Sequence, residues 1–147
     1  MVLLDGGDDP NEVDGRGDNA LHIAAWKGCR PPLFQRVVAR IHDVNTVHKY
    51  GSTALMFAAE NNQLDVVISL MNHPRIDLNV QDRYYNNTAL HHAVGNNHPA
   101  IVSQLLSDDK MDASLKDGYN RTALKYAIVG EHAECVTILR QHGAPEE

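Results

Sequence analysis

An all-helical repeat solenoid is the fold class that the sequence predicts, and three observations predict it. The first is a recurring Ala-Leu pair. The pairs start at Ala20, Ala54, Ala89 and Ala123, so the steps are 34, 35 and 34 residues. A fixed period in that range marks a stack of supersecondary units, none of which can bury its apolar face alone. The second observation lies two places before the Asn or Thr that opens each motif, where Gly17, Gly51, Asn86 and Asn120 stand. Only residues that tolerate positive φ occur there, so each site predicts a left-handed turn position. The third is compositional. Hydrophobic residues make up 43% of the chain and aromatic ones only 5%, so the core must be built of small aliphatic side chains. That favours close helix packing over a sheet sandwich.

The elements of each unit follow in order. A polar turn comes first: Asp14-Gly15-Arg16-Gly17-Asp18, Lys49-Tyr50-Gly51-Ser52, Arg83-Tyr84-Tyr85-Asn86-Asn87 and Asp117-Gly118-Tyr119-Asn120-Arg121. Asn19, Thr53, Thr88 and Thr122 then stand where a helix N-cap is needed, with a side-chain oxygen for an orphan amide of the first turn. A short helix of about two turns follows, with Leu55, Ala58 and Ala59, or Leu90, Ala93 and Val94, at helical spacing. Gly28, Asn62 and Asn97 supply left-handed C-caps. The fourth unit has Glu131 at this place, and Gly130 is expected to take the role one residue early. A longer second helix closes each unit. Pro31-Pro32 suit the first turn of one, and His73-Pro74 stop another. The predicted units are 14–47, 48–81, 82–116 and 117–147, with 1–13 read as the tail of an upstream unit.

The stretch TALHHAVGNNH at residues 88–98 shows why the period matters. Alone, its three histidines suggest a metal or catalytic site. In register, His91 shares its position with His22, Met56 and Lys125. A ligand or general base would not be repeated as Met and Lys. His98 and His132 fall in adjacent units, about 10 Å apart by helix spacing, too far to share one zinc with ligands at about 2 Å.

These residues resemble ankyrin repeats over essentially the whole chain. Asp14 to Ala24 reads D-x-x-G-x-N-A-L-H-x-A, with Ala20, Ala54, Ala89 and Ala123 in place of the more usual Pro. His98 and His132 fall on the His of the Gly-His link, and Asp43-Val44-Asn45 and Asp77-Leu78-Asn79 match the return motif. Single-residue insertions near Pro31-Pro32, Pro74-Arg75 and Asp109-Lys110 account for a period above 33. The resemblance implies that His22 and His91 hydrogen-bond within and between turns. It implies that Asn45 and Asn79 tie down their turns, positions at which some members are hydroxylated. It also implies that turn tips and short helices form a concave binding surface. The segment DPNEVDGRGDNALH is similar to the inhibitor proteins of NF-kappa-B, which suggests transcription regulation or signalling as the setting.

Bulk properties bound the partner. A formal charge of −6 opposes nucleic acid and anionic membranes. Cys29 and Cys135 lie far apart, without a CxxC pair, which favours a reducing compartment, cytoplasmic or nuclear. No apolar run approaches a membrane span, and the first residues lack the basic start and apolar core of a signal peptide. No phosphate loop, nucleophile elbow or zinc-protease motif occurs, so no catalytic residue, cofactor or metal is expected.

The remaining signal is aromatic and basic. Tyr50, Tyr84, Tyr85 and Tyr119 map to turns, Trp26 to the end of the first short helix and His92 to the concave side of the third. Arg16, Lys27, Lys49, Arg83 and Arg121 accompany them, as does Lys116. Few acids map nearby, chiefly Asp18, Glu60 and Asp117. Tyr, Trp and Arg dominate interface hot spots. The expectation is a monomeric, non-catalytic protein-binding module, a scaffold, adaptor or inhibitor, holding an acidic or mixed segment of another protein. The competing readings are a segment of a larger enzyme, effector or channel, and nucleic-acid binding through the basic turns. Turn tyrosines could also serve only to stiffen the row of turns.

Overall fold

The computed structural model describes residues 9–147. Among the described residues eight helices follow one another: α1 (Ala20–Lys27), α2 (Pro31–Arg40), α3 (Ala54–Glu60), α4 (Leu64–Met71), α5 (Ala89–Gly95), α6 (Pro99–Leu106), α7 (Ala123–Val129) and α8 (Ala133–Gln141). The odd-numbered helices pack in sequence, α1 on α3, α3 on α5 and α5 on α7. The even-numbered helices form a second, parallel layer, and each pair is joined internally. This is the stacked helix-pair solenoid that the period predicts. No strand occurs among the described residues. Neighbouring turns are linked instead by single backbone bonds, Lys49 N–H to Arg16, Arg83 N–H to Tyr50 and Gly118 N–H to Tyr85.

The N-caps explain where the short helices begin. Asn19 accepts from the amides of Leu21 and His22, and Thr53, Thr88 and Thr122 accept from those of Met56, His91 and Lys125. His22 and His91 complete two capping boxes, each ring Nδ1 accepting from the cap residue's own amide. The opposite nitrogens reach the carbonyls of Thr46, at 2.8 Å, and Arg121, at 3.0 Å. Both rings are therefore stitches between loops and helices. Burial holds both below the ordinary imidazole value, consistent with a neutral ring that accepts at Nδ1 and donates at Nε2.

The core is one continuous seam between the two layers. Leu21, Leu55, Leu90 and Leu124 of the recurring pair are buried, as are Ala25, Ala58, Ala59, Ala93 and Ala127. The second layer contributes Phe34, Val37, Val67, Leu70, Ile101, Val102, Leu105, Cys135 and Leu139. Each fully buried leucine contributes about 1.5–3 kcal/mol, and the alanines let the backbones approach.

Left-handed backbone occurs at Gly17, Gly51, Asn86 and Asn120 in the turns, and at Gly28, Asn62 and Asn97 after the short helices. The fourth unit corrects the expectation for Gly130. Glu131 itself adopts φ 57°, while Gly130 has φ −78°. Residues 28, 62, 97 and 131 keep the repeat's own spacing. The backbone register prevails over the local preference for glycine, at a cost of about 1–2 kcal/mol.

The 35-residue step has a specific origin. In the first and fourth turns Asp14 and Asp117 bond back to Asp18 and Arg121, four residues on. In the third, Asp82 bonds to Asn87, five residues on. The extra residue therefore lies in this turn and produces the tandem Tyr84-Tyr85.

Between units, Asn45 and Asn79 tie the return loops together. The Asn45 amide donates to Arg75 and its oxygen accepts from Asp77 N–H. Asn79 does the same with Lys110 and Asp112. Asn11 makes the equivalent pair with Arg40 and His42. The expected upstream tail also includes Met1 to Asp8, which lie outside the described residues.

Candidate functional site

The turn tips are held by side chains as well as by backbone. Asp14 Oδ1 accepts from the amides of Arg16 and Asp18. Asp82 Oδ1 accepts from those of Tyr84 and Tyr85, and Asp117 Oδ1 from those of Tyr119 and Arg121. In the second unit His48 stands at the same place, and its Nδ1 accepts from Ser52 N–H at 3.1 Å. The imidazole does the aspartate's work without adding a negative charge.

The turns so fixed present one aromatic row. Ring centroids run His48 to Tyr50 at 5.4 Å, Tyr50 to Tyr84 at 5.4 Å, Tyr84 to Tyr85 at 5.6 Å and Tyr85 to Tyr119 at 6.4 Å. At one end Phe57 meets His22 and His48 edge-on. The tyrosines thus do pack on the next turn. They also remain open to solvent, from 40% at Tyr50 to 66% at Tyr84 and Tyr119. Trp26 is 42% exposed at the end of α1.

Most of the expected cations lie over these rings. Arg16 and Lys27 lie 5.5 and 5.6 Å from the Trp26 ring. Lys49 lies 5.2 Å from Tyr50, and Arg121 lies 4.9 Å from Tyr119 and 4.4 Å from Tyr126. Their charges are not equivalent. Arg16 pairs with Asp18 at 3.2 Å, and Arg121 pairs with buried Asp117 through both Nε and a terminal nitrogen. Lys27, Lys49 and Arg83 have no carboxylate within 4 Å among the described residues. Of the expected cations, those without a carboxylate partner therefore lie in the first three units, while Arg121 of the fourth is paired.

His92 is placed below the surface. Its Nε2 meets Asp82 Oδ2 at 3.1 Å, and its side chain is only 17% exposed. It braces the turn that carries Tyr84 and Tyr85. Burial alone would raise the Asp82 carboxyl, but His92 and the amides of Tyr85 and Tyr84 together hold it below the ordinary value.

Three features were not singled out from the sequence. His48 is a turn-capping ring in place of Asp. Tyr126 is tied by its hydroxyl to Arg121 at 3.0 Å and to Asn87 at 3.3 Å. A recess in the first two units is lined by Arg16, Asp18, His22, Ile23, Trp26, His48, Tyr50 and Phe57. The position of His48, 34 residues from both Asp14 and Asp82, was the available signal. Among the described residues no three His, Cys, Asp or Glu side chains converge as metal ligands would, and no helix is long and apolar enough to cross a membrane.

A family model described as ankyrin repeats (3 copies) matches residues 1–82 and 76–146. The human protein named photoreceptor ankyrin repeat protein is 38% identical over 81 residues, covering 50% of this chain and 17% of its own length. The chain thus spans about a sixth of that relative. With the matched residues covering nearly all of the sequence, and with eight helices stacked as pairs, the chain belongs to the ankyrin repeat family, whose repeats generally mediate protein–protein interaction.

Proposed function

We infer that this protein is a non-catalytic binding module that holds a segment of a partner protein against its turns and short helices. The observation that carries this reading is the exposed aromatic row from Tyr50 to Tyr119, flanked by Trp26. Its rings are mutually packed, so they are already ordered before a partner arrives. A preformed surface costs little ordering entropy on association. Lys27, Lys49 and Arg83 favour a segment that carries acidic residues. A scaffold, adaptor or inhibitor would use the surface in the same way. Two free cysteines fit a reducing setting such as the cytoplasm or nucleus.

The test is an affinity capture from source cells with the wild-type chain. It is run beside a folded variant carrying Trp26→Ala, Tyr50→Ala, Tyr85→Ala and Tyr119→Ala. The reading expects a partner retained by the wild type and lost by the variant. A partner retained equally by both moves the site to the outer helices and removes this face as the binding surface.

A further inference from the structure

Each turn opens on a side chain that holds it closed, and the second unit uses a different group from the rest. Asp14, Asp82 and Asp117 each accept from two amides of their own turn through Oδ1. His48 holds a single amide, that of Ser52, with Nδ1 at 3.1 Å. An imidazole nitrogen accepts only while it carries no proton, so this bond requires the neutral ring with its hydrogen on Nε2. The protonated ring is a donor at both nitrogens. Its Nδ1–H then meets the Ser52 N–H as donor against donor. The Ser52 carbonyl lies 3.3 Å from Nδ1, but it already takes the His48 N–H at 3.0 Å. A ring that turns to this carbonyl leaves the Ser52 amide without its acceptor.

We propose that His48 is a proton-released latch: protonation of its ring frees the second turn, residues 48–52, while the three aspartate-held turns stay closed. Imidazole is the side chain whose charge ordinarily changes between about pH 5 and 8. The aspartates keep their charge across that range. The amides of Asp18 and Arg16 hold Asp14 below the ordinary carboxylate value. Burial pushes Asp82 and Asp117 up, but His92 and Arg121, with the turn amides, outweigh it and keep both below that value. The surroundings of His48 offer an imidazolium no counter-ion. The residue is only 9% exposed. Helix α1 faces it with His22, ring centroids 6.1 Å apart, and α3 faces it with Phe57 at 5.0 Å. Its own turn brings Tyr50 and Lys49, and the first turn brings Arg16 and Asp18. Asp18 gives its Oδ2 to Arg16, which also has Asp14 at 3.9 Å, and its Oδ1 is buried without a hydrogen-bond partner among the described residues. No carboxylate among the described residues lies within 4 Å of the His48 ring, whereas His92 has Asp82 at 3.1 Å. A buried charge without a partner is costly, and opening the turn to water relieves it. The freed segment holds both neighbours, through Lys49 N–H to Arg16 and Arg83 N–H to Tyr50. On the reading of this face as protein-binding, its release withdraws Lys49 and Tyr50 from the partner as the medium turns acid.

The test uses the free, isotope-labelled full chain, so failure of the binding reading leaves it untouched. Histidine ring resonances and backbone amides are followed together by NMR from about pH 8 to pH 5, the range in which imidazole titrates. The Ser52 amide is expected to shift with the same midpoint as the His48 ring. Its hydrogen-exchange protection factor is expected to fall at least about fivefold relative to the amides of Tyr85 and Arg121, the factor for one lost hydrogen bond. Those two amides bond to Asp82 and Asp117 and serve as the internal reference. His48→Asn keeps an uncharged acceptor that does not titrate, and there the relative protection of Ser52 is expected to hold within about twofold. His22 still titrates in that variant, so a loss that persists in it overturns the proposal in favour of His22. A His48 ring that takes up no proton down to pH 5 also overturns it, as does a Ser52 amide unmoved through the ring's titration. A loss shared equally by the aspartate-held turns is global loosening and overturns it as well. The comparison between turns of the wild-type chain stands even where the variant does not fold.

Discussion

Replacing Gly51 by alanine probes the turn that carries Tyr50, and the structure gives the size of the effect. Gly51 has φ +82°, a left-handed conformation that costs a residue with a Cβ about 1–2 kcal/mol. The added Cβ would also stand 2.5 Å from Arg83 Cγ and 2.8 Å from Arg83 N. The Arg83 side chain can swing away. Its backbone nitrogen cannot, because it donates to the Tyr50 carbonyl at 3.1 Å and links the second turn to the third. Relief therefore requires that bond to lengthen, which loses about 0.5–1.5 kcal/mol net. The two contributions together come to about 1.5–3.5 kcal/mol. In a chain of this size that lowers Tm by roughly 3–14 °C. Gly15→Ala is the control, since nothing lies within 4 Å of a Cβ there and its φ is not positive. Thermal melts followed by far-UV circular dichroism compare the three chains. A Gly51→Ala melt within 1 °C of wild type would refute the reasoning, and so would a Gly15→Ala loss as large as that of Gly51→Ala.

Other substitutions and pH test other parts of the account. Glu131→Gly relieves the left-handed glutamate after α7 and, less the backbone freedom that glycine must lose, should stabilise by about 0.5–1 kcal/mol; an unchanged or lower melting temperature would contradict this. Thr53→Ala removes the oxygen that accepts from Met56 N–H and should cost about 1 kcal/mol in a urea titration. Burial keeps His22 and His91 below the ordinary imidazole value of 6.5, so the unfolded chain takes up those protons first. Stability should therefore be full above about pH 6.5 and fall as the pH drops toward the lower folded values. Asp82 and Asp117 have folded values below 3.8, and their contribution is lost further into acid. A urea midpoint flat from pH 7 to pH 5 would count against the buried neutral histidines.

The fold was legible because the chain repeats its instructions. The Ala-Leu pair, the N-cap residue and the Gly or Asn of each turn recur in register, so a doubtful position could be read from its equivalents. Glu131 was misread because residue preference was weighed above register, and the stacked backbone imposes the left-handed position whatever residue stands there. The candidate face was legible in part. Exposed tyrosines at turn tips follow from register alone, and the structure joins them into one row. The pairing of Arg16 and Arg121 with their own turn carboxylates depends on side-chain reach within a folded turn. The 35-residue step was visible in the sequence, but the turn's hydrogen bonds were needed to place its extra residue at the tandem Tyr84-Tyr85. His48 was passed over because a ring nitrogen replacing a carboxylate oxygen is recognised only once the Ser52 amide is seen to donate to it. The unpaired oxygen of Asp18 is a property of its packing, and no sequence pattern marks it.

The central claim is that the turns and short helices form the binding face. Hydrogen exchange of the chain, alone and with its captured partner, tests it most directly. The account predicts new protection at the turns around residues 16–18, 49–51, 83–86 and 119–121 and in α1 and α3, with α2, α4, α6 and α8 unchanged. Protection confined to those outer helices, with the tyrosine turns exchanging as in the free chain, would contradict it.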